Sequence, residues 1–152
     1  MTDRQQRGSR RRTFVLGAAF GLAIGSAGLL AGALSAQGEA DAATGQSVTP
    51  VFSAALPNLP GNSLTVVEVE YAPGGRSTSH RHAGSVFAYV IEGEIRSQLD
   101  DGAETIYRAG ESFFEPPGTR HAVSENASDT APARLLAVIV AETGAELTTF
   151  DE

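Results

Sequence analysis

From Leu64 to Val140 the chain is broken every few residues by glycine- or proline-bearing turns, leaving segments too short and too strand-like to be helices. Leu64 to Tyr71 sets the pattern: Val67, Val69 and Tyr71 alternate with Glu68 and Glu70, the period of a half-buried strand. Pro73-Gly74-Gly75 turns the chain into His80 to His82, and the apolar run Val86 to Ile91 follows. Glu92-Gly93 reads as a hairpin into Glu94 to Leu99, and Asp100-Asp101-Gly102 as another into Glu104 to Arg108. Ala109-Gly110-Glu111 leads to Ser112 to Glu115, and the rigid Pro116-Pro117-Gly118 loop delivers His121. Leu135 to Val140 is a buried-looking strand after the polar loop Asn126 to Ala133. No stretch beyond residue 35 carries helical periodicity. Short strands spaced by about 8–12 residues make an all-β sandwich or barrel, and 152 residues at 41% hydrophobic content supply one core, not two.

Several chemistries are excluded by composition. Without cysteine there is no disulfide, thiolate metal site or cysteine nucleophile. Every cationic side chain other than histidine is arginine, so a lysine Schiff base is also excluded. Five of the eleven arginines fall in the first twelve residues, and downstream of residue 36 six arginines face seventeen acids. A body that acidic repels phosphate backbones, so nucleic acid is not a partner.

The arginine-rich start is followed by Phe14-Val15-Leu16-Gly17 and an apolar run of Ala, Gly, Leu and Ile to about Leu34, the build of an export signal. Ser9-Arg10-Arg11-Arg12-Thr13-Phe14-Val15-Leu16 resembles a twin-arginine signal, which implies export of the folded protein to the periplasm or beyond. Phe14 to Leu34 is also long enough to span a bilayer at about 20 residues, so a retained segment would be a membrane anchor. Small residues suited to cleavage occur at Ala36 and at Ala40-Asp41-Ala42.

The chain has three histidines, two of them in Gly74-x5-His80-x-His82. On a strand, residues i and i+2 share a face, so both imidazoles aim at one point, and imidazole is the commonest metal ligand. The third lies in Gly110-x5-Pro116-x-Gly118-x2-His121.

Together these two stretches resemble the two motifs of the cupin superfamily. Gly74, His80, His82 and Gly93 match the first motif; Gly110, Pro116, Gly118 and His121 match the second, with Asn126 one position later than its usual asparagine. The resemblance covers roughly Leu64 to Val140 and implies a cupin double-stranded β-helix, or jelly-roll barrel. The chain accordingly divides into residues 1–36 as signal peptide or anchor, 37–61 as a flexible tether with a short strand at Val51-Phe52, and 62–152 as the barrel.

The resemblance further implies a divalent transition metal, whether iron, manganese, zinc or nickel, held by His80, His82 and His121. The departure is at the family's glutamate ligand: with six residues between it and Gly93, that position is Val86, flanked by Ser85 and Phe87. Three neutral nitrogens still leave open positions for water, dioxygen or substrate, as in some dioxygenases of the superfamily. Glu115 is the one nearby carboxylate, a replacement ligand or catalytic candidate but more simply an outer-shell or solvated group. Arg81, between two ligands, faces away. Tyr89, Tyr107, Phe113 and Phe114 are core or interface residues, one tyrosine being a pocket candidate.

With Val86 facing the site, Ala88 and Val90 share its face and make one wall small and apolar. A two-residue loop at Glu92-Gly93 pairs Val90 with Ile95 and places Ile95, Ser97 and Leu99 inside. A three-residue loop instead places Glu94, Arg96 and Gln98 there, with Arg96 an anchor for an anionic substrate. The expected function is a metal-dependent, dioxygenase-like oxidoreductase acting on a small organic molecule. The alternative is a non-catalytic ligand-binding, sensing or structural barrel with weak or no metal. Cupins commonly pair, so a homodimer is also expected.

Overall fold

A computed structural model describes residues 44–151. The ten strands are β1 (Gln46–Ala55), β2 (Asn62–Tyr71), β3 (His80–His82), β4 (Ser85–Glu92), β5 (Glu94–Leu99), β6 (Thr105–Arg108), β7 (Ser112–Glu115), β8 (Arg120–Asn126), β9 (Ala133–Glu142) and β10 (Thr148–Phe150). They form two five-stranded sheets with every pairing antiparallel, ordered β1-β2-β9-β4-β7 and β10-β3-β8-β5-β6. No α-helix occurs among the described residues. This is the all-β architecture expected from the strand spacing, and the jelly roll that the cupin resemblance implies.

The core follows from period-2 alternation. β9, central in its sheet, buries Ala133, Leu135, Ala137, Ile139 and Ala141, and β4 buries Val86, Ala88 and Val90 beside them. Ile95 of β5 and Phe113 of β7 complete the same cluster. Fully burying one such aliphatic side chain contributes about 1.5–3 kcal/mol. On the outer face of the first sheet, register places Phe52, Val66, Val138, Phe87 and Phe114 in a single cross-strand row. Phe52, Phe87 and Phe114 are exposed there.

Two glycines carry the chain from one sheet to the other. A Cβ on Gly84, between β3 and β4, would run into the Val140 carbonyl oxygen. Gly93, between β4 and β5, has φ 72°, and a Cβ would stand 2.6 Å from the Pro132 oxygen. Only glycine combines that left-handed backbone with so close an approach.

The Gly93 crossing corrects the expected hairpin at Glu92-Gly93: β4 and β5 lie in different sheets, and Val90 pairs with Leu135 rather than Ile95. The inward face of β5 is nonetheless Ile95 and Ser97. Arg96 is not inside; its guanidinium donates to Glu125 at 2.9 Å and lies 3.9 Å from Glu104, so it is no substrate anchor. The Asp100–Gly102 turn does join paired strands, β5 and β6.

Two further strands exceed the sequence expectation. The expected short strand at Val51-Phe52 is the ten-residue β1, which tolerates Pro50 because it is an edge strand with a bulge between Pro50 and Phe52. At the C-terminus β10 adds an edge to β3. Residues 1–43, including the expected signal or anchor, lie outside the described residues; among those described, no helix is long and apolar enough to cross a membrane.

Candidate metal centre

The strand β3 lies between β10 and β8, and its pairing with β8 sets His80 directly opposite His121. His-x-His spacing puts His82 on the same face, so the three rings gather. The His80 centroid lies 4.9 Å from that of His82 and 5.1 Å from that of His121. His80 and His121 are buried and His82 is half-buried. Arg81 points outward as expected, donating to the Gly118 carbonyl at 3.0 Å and approaching Asp151. The Pro116-Pro117-Gly118 loop is fixed to the same strand, Gly118 N donating to His82 O at 2.8 Å.

Each ring is oriented by a partner. His80 Nδ1 lies 2.7 Å from Thr78 O, and His82 Nδ1 lies 3.1 Å from Leu147 O. A carbonyl only accepts, so Nδ1 carries the proton in both rings and Nε2 is left with its lone pair, the arrangement of a metal-ligating imidazole. Burial is the main reason His80 is pushed down to about 4, with His121 and His82 acting in the same direction against its bond to Thr78. It is therefore neutral near pH 7. His121 Nε2 lies 2.8 Å from Ser97 Oγ, which leaves Nδ1 turned toward Glu115.

Glu115 joins the histidines, contrary to a solvated placement. On β7 it shares the inward face with Phe113 and is only 3% exposed. Its Oε2 lies 3.2 Å from His121 Nδ1 and 4.0 Å from His82 Nε2. Despite the short approach to His121, Oε2 is buried without a hydrogen-bond partner. Burial pushes this carboxyl up, but the His121 ring against it, with His82 and His80 further off, outweighs burial and leaves the group below its ordinary value. Val86, at the position of the expected glutamate, is fully buried and directly opposite Glu115 across β4 and β7.

Among the described residues, no three or more His, Cys, Asp or Glu side chains are placed so as to hold a metal ion together. The donor chemistry nevertheless fits a divalent transition metal: two imidazoles with free Nε2 atoms, a third alongside, and a buried carboxyl oxygen with no hydrogen-bond partner.

A cavity of about 230 Å³ adjoins this cluster and is lined by Leu99, Thr105, Tyr107, Phe113 and Ser97, among others. The histidines are not in its wall; Ser97 and Phe113 link the two, Phe113 lying edge-on to the His121 ring at 5.8 Å. Tyr107, stacked 4.7 Å from Phe113, is the tyrosine that lines a pocket, whereas Tyr89 is exposed on the outer face. Sequence reasoning missed the ring-orienting carbonyls of Thr78 and Leu147, and Phe150, whose ring lies 5.9 Å from His80. Carbonyl contacts leave no side-chain signature, and Phe150 belongs to the unexpected β10.

Residues 67–139 match the family model described as a cupin domain, a span that contains His80, His82, Glu115 and His121. The match and the jelly-roll architecture support the cupin superfamily. Phomopsin biosynthesis cluster protein C' of Diaporthe leptostromiformis is 36% identical over 81 residues, 53% of this chain and 41% of that protein. The cupin-domain-containing oxidoreductase fogC of Aspergillus ruber (strain CBS 135680) is 31% identical over 72 residues, 47% of this chain and 36% of that protein. The chain thus spans less than half the length of these two relatives. An oxalate oxidase solved with the substrate analogue glycolate superposes with a TM-score of 0.58 at 22% identity, covering 84% of this chain and 67% of that one. At that identity the likeness is one of fold.

Proposed function

We propose that the barrel holds a divalent transition metal through His80, His82 and His121 and acts on a small organic molecule as a dioxygenase-like oxidoreductase. The observation that carries the metal is the pairing of His80 and His82 Nδ1 with backbone carbonyls, which frees both Nε2 atoms within one buried cluster. When bound, the metal supplies Lewis-acid polarisation of dioxygen or of a substrate oxygen. Leu99, Tyr107 and Phe113 offer apolar and aromatic surface to orient an organic substrate beside the cluster. Val86, Ala88 and Val90 exclude water on the far wall. The oxidoreductase named among the relatives supports the oxidative class. Oxygen uptake by the metal-loaded protein across a panel of diketones, flavonols and thiols tests it; turnover with any of these supports the enzyme.

The second reading, a non-catalytic ligand-binding barrel, is favoured by one contact: Ser97 holds His121 Nε2 while Glu115 faces Nδ1, so both nitrogens of that ring are engaged. Tight ligand binding without oxygen uptake across the panel selects it.

We also propose twin-arginine export to the periplasm or exterior, resting on Arg10-Arg11-Arg12 before Phe14, or membrane anchoring if the segment is retained. Fractionation of cells carrying the Arg11→Lys and Arg12→Lys double variant tests it; undiminished export contradicts it. The apolar row of Phe52, Phe87 and Phe114 supports a homodimer, which sedimentation of Phe87→Glu tests by loss of the dimer.

A further inference from the structure

We propose that Glu115 is the anionic ligand of this centre, supplied from β7 in place of an acid on β4. The assignment rests on the three-histidine reading above and adds its fourth donor. Among the described residues, Glu115 is the one acid in the buried set, which otherwise holds only His80, Ser97, His121, Ser124 and Asn126 as polar groups. Its Oε2 is the buried side-chain atom that lacks a hydrogen-bond partner. Native interiors keep a carboxyl oxygen out of water only where hydrogen bonds or a cation compensate for lost hydration. Among the described residues no arginine does so: Arg76 is exposed, and the ion pairs of Arg81, Arg96, Arg108, Arg120 and Arg134 are with Asp151, Glu104, Glu125, Glu94, Glu68 and Glu92. What surrounds Oε2 is the imidazole set, His121 at 3.2 Å and His82 at 4.0 Å.

Strand register explains why an acid can work from this position. Glu115 and Val86 are direct antiparallel partners and both are buried. Directly opposed residues hold their Cβ atoms about 4.5–5.5 Å apart, a gap that the two methylenes of a glutamate side chain can bridge. Either strand can therefore deliver one carboxylate to the same interior, and the two side chains together occupy the same volume whichever strand carries the acid.

That equivalence defines the test. Full-length wild type, Glu115→Gln, and the exchange variant Val86→Glu with Glu115→Val are titrated with Mn(II) by calorimetry, and their Co(II) visible spectra are recorded. Loss of an outer-shell partner costs ~10–100-fold in metal affinity; Glu115→Gln is expected to exceed that range and to alter the Co(II) spectrum. The exchange variant is expected to recover most of the lost affinity. A Glu115→Gln protein with wild-type affinity and spectrum overturns the assignment while leaving the three-histidine centre standing. So does an exchange variant that folds, by circular dichroism, but binds no better than Glu115→Gln, because the carboxylate would then act only by orienting His121. If the exchange variant does not fold, the Co(II) spectrum of Glu115→Gln decides. A wild type that binds neither ion removes the centre and this ligand together.

Discussion

Ser97 Oγ lies 2.8 Å from His121 Nε2, a buried contact between β5 and β8 that fixes which face of the His121 ring meets Glu115. Orientation of a ligand by such a partner is expected to matter for affinity more than for folding. Ser97→Ala should lower metal affinity ~10–100-fold, read by competition with a chromophoric chelator, and leave the circular dichroism spectrum unchanged. Ser97→Thr, which keeps the hydroxyl, should recover part of the loss. Equal affinity in all three proteins would show that His121 is held by packing alone.

Asp151 links the C-terminal strand to the histidine-bearing one. Ser79 Oγ donates to Asp151 Oδ2 at 2.6 Å, Arg120 Nε lies 3.1 Å from the same oxygen, and Asp151 N donates to Ser79 O at 2.9 Å. The Ser79 hydroxyl first, then the Arg81 and Arg120 charges, hold this carboxyl below its ordinary value. A depressed folded value means that the ionised form stabilises the fold above the unfolded value, about 3.9, and that the contribution disappears as pH falls through the folded value. The gap in urea midpoint between wild type and Asp151→Asn should therefore be present at pH 7 and shrink on acidification below about pH 4. A gap that is constant with pH would mean that the charge contributes nothing.

Asn126 is spent on structure. Its amide donates to Ala72 O at 3.1 Å and to Ala131 O at 2.7 Å, while its oxygen accepts from Ser128 N at 2.9 Å. Buried at the end of β8, it ties the loop before β9 to the end of β2. Asn126→Ala leaves those groups unpaired and should destabilise the protein by about 1–3 kcal/mol, measured by denaturant unfolding, with unchanged metal affinity. Loss of metal without loss of stability would place Asn126 in the site instead.

The His80 and His82 pair was legible in the sequence because it rests on a local rule, whereas His121 was joined to it only through the resemblance to the cupin motifs. His-x-His on a strand fixes one face. Val86 was legible as an inward residue for the same reason, since Ala88 and Val90 continue its alternation and all three are buried. What periodicity cannot convey is which sheet a strand joins. Glu92-Gly93 has hairpin composition, yet Gly93 passes the chain between sheets, because the partner of Val90 is Leu135, far along the chain. Glu115 was hidden by the same limit. Its inward direction follows from Phe113 two residues earlier, but its place opposite Val86 depends on pairing between strands separated by β5 and β6. The strand β10 lacked any apolar alternation: Thr148, Thr149 and Phe150 form a strand because β3 offers a free edge.

The central claim is that His80, His82 and His121 hold one metal together, and metal analysis of the purified full-length protein tests it most directly. The account predicts about one equivalent of a divalent transition metal per chain in the wild type, as for a single three-histidine site, and its loss in His121→Ala. A folded wild type without stoichiometric metal after exposure to these ions, or a His121→Ala protein that retains metal unchanged, would contradict it.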